Sequence, residues 1–185
     1  PGGPLAVPGG DEVVAPANRL MHDFEIVVAI QDWHPPDHGS FAANHPGAKP
    51  YQNINLHGLP QTLWPVHCVQ ETRGAELAPG LDTTRITRRF RKGTDPKVDS
   101  YSAFFDNGHR HSTGLADWLR SQGVTHVTIC GLATDYCVKS SALDAITEGF
   151  GVTLMLGACR GINLKPGDVE AAVEEMKAKG VEIHE

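Results

Sequence analysis

The sequence predicts an α/β fold of three layers, α/β/α, built on a parallel sheet, and three observations carry that prediction. Ile26-Val27-Val28-Ala29-Ile30 is an unbroken, mostly β-branched run, the pattern of a strand buried on both faces. From Val124 onward, strand-like segments alternate with segments of helical period, the signature of a parallel sheet with right-handed crossovers. A length of 185 residues supports one domain with a real core and is short for two, so residues 1–185 read as a single domain.

The elements follow in order. The Pro/Gly-rich start, residues 1–10, can only be a loop. Asp11 offers an N-cap for a helix to about Leu20, with Pro16 a weak point inside it. The apolar run at Ile26–Ile30 delivers Gln31-Asp32-Trp33-His34 at its carboxyl end. Between Trp33 and Gly80 the chain is rich in Pro, Gly, Asn and His without a sustained period, which reads as a functional loop region. Arg85–Phe90 makes a strand that carries Arg91-Lys92-Gly93 at its end. Ser112 caps a helix over Gly114–Gln122, with Leu115, Trp118 and Leu119 on one face and Gly123 as its stop. Val124–Cys130 is the next strand. A helix over about Asp135–Glu148 lines up Val138, Ala142, Ala145 and Ile146, and Val152–Leu156 is the strand after it. Gly167-Asp168 opens the last helix, with Val169, Ala172, Val173 and Met176 inward, and Val181–Ile183 is a short final strand.

Composition narrows the function. With 21% charged and 40% hydrophobic residues, the chain is a folded soluble protein and not a disordered, collagen-like or coiled-coil one. A net charge of −6, with basic residues grouped only around Arg88–Lys92, argues against nucleic acid as a partner. No apolar stretch approaches the roughly 18–20 residues of a membrane span. Cys68, Cys130, Cys137 and Cys159 lie far apart with no Cys-x-x-Cys pair, and read as reduced thiols of a cytoplasmic protein. Because the sequence begins Pro1-Gly2-Gly3-Pro4 without a methionine, the lack of a signal peptide decides nothing.

In open parallel sheets the chemistry lies beyond the carboxyl ends of the strands, and here those ends carry Asp32 and His34, Lys92, and Gly131–Cys137. Cys137 falls in the first turn of an expected helix, where unpaired N–H groups favour an anion and hence a thiolate; against this stands the plain reading of a small buried filler. Asp32-x-His34 projects two ligands to one side, and His67 or His38 from the long loop could complete a site for Zn, Fe or Mn. An Asp-x-His pair also arises by chance, and Lys92 among Arg88, Arg89 and Arg91 could simply be a solvated charge.

These signals coincide with one pattern. Pro1-Gly2-Gly3…Val7-Pro8-Gly9-Gly10, Gln31-Asp32-Trp33-His34-Pro35…His38-Gly39-Ser40-Phe41, Trp64-Pro65-Val66-His67-Cys68-Val69, Arg91-Lys92-Gly93, Asp99-Ser100-Tyr101-Ser102 and Gly131–Cys137-Val138-Lys139 occur in order along the chain. In this the sequence resembles, end to end, the nicotinamidase/pyrazinamidase family of isochorismatase-like cysteine hydrolases. The resemblance implies a six-stranded parallel sheet flanked by helices, and hydrolysis of a small amide, nicotinamide or pyrazinamide, through an Asp–Lys–Cys triad in NAD salvage. It makes Cys137 the nucleophile and Lys92 the cation beside it. Ala133 and Cys137 would supply the oxyanion-hole amides, next to a cis peptide between Leu132 and Ala133. Asp32, His34 and His67 would bind one divalent ion, Zn or Fe with Mn a further option, and Trp64, Tyr101 and Leu132 would contact the substrate. His38 falls where some members have a fourth ligand. Rival readings are another amidohydrolase of the superfamily, and a metal-binding relative without turnover; a homo-oligomer is open.

One departure is large. The family's first strand ends in an Asp-x-Gln-x-Asp-Phe motif just before the Pro-Gly-Gly stretch. This sequence starts at Pro1, so the triad aspartate has no counterpart in it; Asp11, Asp23 and Asp135 stand elsewhere in register. Burying about five apolar side chains of that strand would contribute roughly 8–15 kcal/mol gross, as much as the net stability of a typical domain. The sequence is therefore read as an incomplete copy of a normal enzyme, and residues 1–185 alone are expected to fold poorly or to be nearly inactive.

Overall fold

β-Branched and apolar runs do become parallel strands, and the helical segments between them fold back across the sheets. The computed structural model describes residues 2–185; Pro1, which opens the Pro-Gly-Gly stretch, lies outside the described residues. Strand β1 (Val28–Asp32) pairs in parallel with β4 (Arg88–Lys92), and β5 (His126–Leu132), β6 (Gly151–Arg160) and β7 (Glu182–His184) form a second parallel sheet in that order. Among the described residues the two sheets share no strand pairing, where the sequence predicts one continuous sheet.

Helices α2 (Leu115–Ser121), α3 (Lys139–Thr147) and α4 (Asp168–Ala178) bury the stripes their spacing marks. Leu115, Leu119, Ala142, Ala145, Val173 and Met176 join Phe90, Phe104, Val152 and Leu154 in one core. Leu154 and Met176 are fully enclosed, as central members of such a cluster must be when packing is close. None of the described helices is long and apolar enough to cross a membrane.

Four expectations shift. A hairpin, β2 (Asn53–Leu56) with β3 (Leu59–Thr62), lies inside the stretch read as loop. Its turn is His57-Gly58, both at positive φ, which suits a tight two-residue connection; Pro60 hides the strand from a propensity reading yet is tolerated because β3 has a neighbour on one side only. Asp11 does not cap α1. It sits inside a 3₁₀ turn, Gly10–Val13, and α1 starts at Val14 and runs to Met21. Pro16 is then the third residue of α1, where no intrahelical N–H is required. Gly114, rather than Ser112, is the cap of α2, with Ser112 Oγ accepting from the Gly114 N–H at 3.0 Å. Finally, the helix expected from Asp135 opens as a π turn, Thr134–Val138, before α3.

Replacing Leu154 by Ala should cost about 2–5 kcal/mol in urea unfolding, whereas Leu164→Ala, at a side chain 37% exposed, should stay within about 0.5 kcal/mol. Equal effects at the two positions would show that Leu154 is not at the centre of the core.

Candidate active site

Strand register assembles the first pair. Asp32 stands opposite Lys92 at the ends of β1 and β4, and Asp32 Oδ1 lies 2.6 Å from Lys92 Nζ. The contact is bent away from hydrogen-bond geometry, so Oδ1 keeps a lone pair free. Lys92 Nζ donates to the Ser100 carbonyl at 2.6 Å and to Cys137 Sγ at 3.3 Å. Burial works against the lysine's charge, but Asp32 and its neighbours outweigh that, and the ammonium is held well above its ordinary range. Asp32 balances the same way: burial pushes its carboxyl up, while Lys92 and the nearby imidazoles bring it below the usual value.

Cys137 lies in the π turn that follows the cis peptide between Leu132 and Ala133. Four hydrogen bonds fix this turn. Ser141 Oγ donates to the Cys137 carbonyl at 2.6 Å and accepts from the Ala103 N–H at 2.9 Å. The buried Asp135 carboxylate accepts from Ile162 and Asn163 N–H at 2.9 and 2.7 Å, tying the turn to the loop after β6. Ala133 is buried at its start and Leu132 is 42% exposed. The turn does not make a thiolate on its own. Burial pushes the Cys137 thiol up to about 11 although Lys92 sits beside it, because much of the lysine's charge is already balanced by Asp32. The expectation of an ionised resting thiol is thereby corrected.

Asp32, His34 and His67 bring three ligand atoms within 4.8 Å of one another. His34 Nδ1 lies 2.8 Å from the Gly93 carbonyl and His67 Nδ1 2.8 Å from the Pro65 carbonyl. A carbonyl only accepts, so each Nδ1 carries the hydrogen and each Nε2 keeps a bare lone pair. Burial, with His34 nearby, lowers the His67 pKa and keeps that ring neutral. Gly93 is required here twice over: its φ is +64° and a Cβ would collide with the His34 ring. Two imidazoles that present Nε2 and a carboxylate with a free lone pair fit a divalent ion of the zinc–iron class.

Three aromatic rings pack into a wall that includes Tyr136, the residue next to Cys137. Trp64 Nε1 donates to the Tyr101 hydroxyl at 3.2 Å, and the Tyr136 ring lies 4.9 Å from Trp64 and 5.5 Å from Tyr101, both edge-on. Tyr136 is the wall residue that sequence reasoning missed, though its place beside Cys137 was a signal. His38 packs 4.4 Å from the His34 ring but outside the group formed by Asp32, His34 and His67.

Comparison with known proteins sets this geometry in context. The family profile described as isochorismatase domain matches residues 1–185. Over 188 aligned residues the chain is 51% identical to a nicotinamidase of Escherichia coli strain K12, covering 99% of this chain and 87% of that one. Among solved structures, an Acinetobacter baumanii nicotinamidase/pyrazinamidase superimposes with a TM-score of 0.96 at 44% identity, covering 99% and 88% of the two chains. A pyrazinamidase of Pyrococcus horikoshii in complex with zinc gives 0.79 at 39% identity, covering 100% and 91%.

In metal-free protein, alkylation of Cys137 by iodoacetamide should rise with pH through neutrality and reach half its plateau near 11. A midpoint near about 8, that of an ordinary free thiol, would show that Lys92 outweighs burial.

Proposed function

The chain belongs to the isochorismatase domain family and is an amidohydrolase, and from that premise we propose that it hydrolyses nicotinamide, and the related pyrazinamide, to the acid and ammonia. The observation that carries the proposal is Lys92 Nζ, 3.3 Å from Cys137 Sγ and 2.6 Å from Asp32 Oδ1, with the aromatic wall of Trp64, Tyr101 and Tyr136 beside it. An ammonium there favours the thiolate at the moment of attack, and the rings offer faces to a flat heteroaromatic amide.

In this reading the Cys137 proton leaves and Sγ bonds to the carboxamide carbon. The negative oxygen accepts hydrogen bonds from the Ala133 and Cys137 backbone N–H groups. Collapse of the tetrahedral adduct breaks the C–N bond, the departing nitrogen takes up the proton, and ammonia leaves a thioester on Sγ. Water then attacks the same carbon, the C–S bond breaks, and the acid is released as the thiol is restored. The resemblance gives this proton to a triad aspartate, which has no counterpart among residues 1–185.

Asp32, His34 and His67 would hold one divalent ion, zinc or iron with manganese acceptable to the same donors. When bound, the ion supplies a Lewis-acidic point that holds the pyridine ring nitrogen. His34 and His67 serve it by keeping their Nδ1 hydrogens on backbone carbonyls. Leu132 and Tyr101 complete the substrate contacts. Nicotinamide is the amide left by NAD-consuming reactions, so its hydrolysis fits NAD salvage, and four unpaired cysteines suit a reducing cytoplasm.

Cys137→Ala should lower ammonia release from nicotinamide by at least about 10³-fold; turnover close to the unsubstituted protein would remove Cys137 from the reaction. His34→Ala should reduce bound metal by about tenfold or more, read by elemental analysis after dialysis, and unchanged stoichiometry would take His34 off the ligand set.

A further inference from the structure

Beside the Asp32–His34–His67 group lies a second one that amide hydrolysis leaves unused. His34, His38 and Asp99 also bring three ligand atoms within 4.8 Å of one another, and their exposures are 2%, 0% and 3%. The two histidines come from the loop after β1 and the aspartate from the loop after β4, so backbone from two strand ends converges there.

The His38 ring is the telling member. Its Nε2 is buried and meets no hydrogen-bond partner among the described residues, a state that is costly for any polar group. Ser40 Oγ lies 2.7 Å from His38 Nδ1, and the Ser40 N–H approaches the same nitrogen at 3.3 Å. The Ser40 N–H can only donate, so at rest Nδ1 accepts and the orphaned Nε2 carries the hydrogen; moving that hydrogen to Nδ1, where Ser40 Oγ can accept it at 2.7 Å, turns Nε2 into a ligand. Asp99 matches it. Its two oxygens accept one hydrogen bond each, from the Ser100 N–H at 2.8 Å and from Gln61 Nε2 at 3.0 Å, which leaves lone pairs on both. Among the described residues Asp99 has no lysine or arginine at ion-pair distance, whereas Asp32 shares its Oδ1 with Lys92 at 2.6 Å.

We infer that His34, His38 and Asp99 form a second divalent-cation position that overlaps the first and shares its His34 ligand. His34 Nε2 has one lone pair, since Nδ1 is committed to Gly93, so the two positions exclude each other. The chain binds one ion with two alternative places for it. Two imidazoles and one carboxylate make both positions selective for the same borderline ions, zinc, cobalt and iron, over magnesium or calcium. The inference rests in part on the reading of Asp32, His34 and His67 as a metal set, and its test separates the two.

The probe is Co²⁺, followed on the intact chain by equilibrium dialysis and by its visible absorption, with no amide present. Asp99→Asn, which leaves the first position intact, should bind one equivalent within about twofold of the unsubstituted protein, and His67→Ala should still bind one equivalent about tenfold more weakly, with visible spectra that differ from one another. The double variant should lose binding altogether. If His67→Ala alone abolishes binding, or the double variant binds as well as His67→Ala, the second position does not exist. If Asp99→Asn alone removes the ion while His67→Ala changes nothing, the second position stands and the Asp32–His34–His67 reading falls. Should a variant fail to fold, crystals of the unsubstituted protein soaked in Co²⁺ answer the same question by anomalous scattering. Density between His34, His38 and Asp99 is expected alongside the first position, and density confined to the first would overturn the inference.

Discussion

An ammonium buried at the end of β4 needs a carboxylate, and only one strand register supplies it. Asp32 opposite Lys92 is at once a fact about sheet pairing and the centre of the site. Slipping β1 by one residue would turn Asp32 to the opposite face and leave Lys92 a lone buried charge, which proteins do not tolerate without a penalty of several kcal/mol. The same pairing decides where Cys137 stands, because Lys92 Nζ reaches the Sγ at 3.3 Å and the Ser100 carbonyl at 2.6 Å. Three segments distant in sequence are thereby referred to one nitrogen atom.

Backbone groups do most of the remaining positioning. The Gly93 and Pro65 carbonyls orient His34 and His67, and the Cys137 carbonyl is held by Ser141. Asp135 closes the turn against the loop after β6. The two imidazoles are thus held by backbone atoms that cannot change identity when the sequence drifts, with Gly93 letting the backbone come close, whereas the Cys137 turn depends on the Ser141 and Asp135 side chains.

Much of the fold was legible in the sequence. The run at Ile26–Ile30 and the helical stripes around Ala142, Ala145, Ala172 and Met176 mark their elements because burial on one or both faces writes itself into period. Asp32, His34, Lys92 and Cys137 were found as strand-end and turn residues and then joined by motif order. The hairpin at Asn53–Thr62 was not legible, since Pro60 and the polar residues around it carry no strand pattern and the pairing is set by the turn. Nor was the neighbourhood of His38 and Asp99. His38 stood out as a candidate ligand and Asp99 as a motif residue, but only the approach of the loops after β1 and β4 makes them a pair. The ionisation of Cys137 was misread for a related reason: first-turn position is local, while enclosure by the whole site is not.

That enclosure has a meaning for durability. With its proton held up to about 11, the resting Cys137 sulfur is predominantly protonated at neutral pH. Peroxides and stray electrophiles attack thiolates, and oxidation beyond the sulfenic stage is mostly irreversible. A nucleophile kept protonated until a bound amide and a proton acceptor are both in place is one that ages slowly, so an enzyme built this way would keep its working sulfur through oxidative episodes that would silence a permanently ionised cysteine.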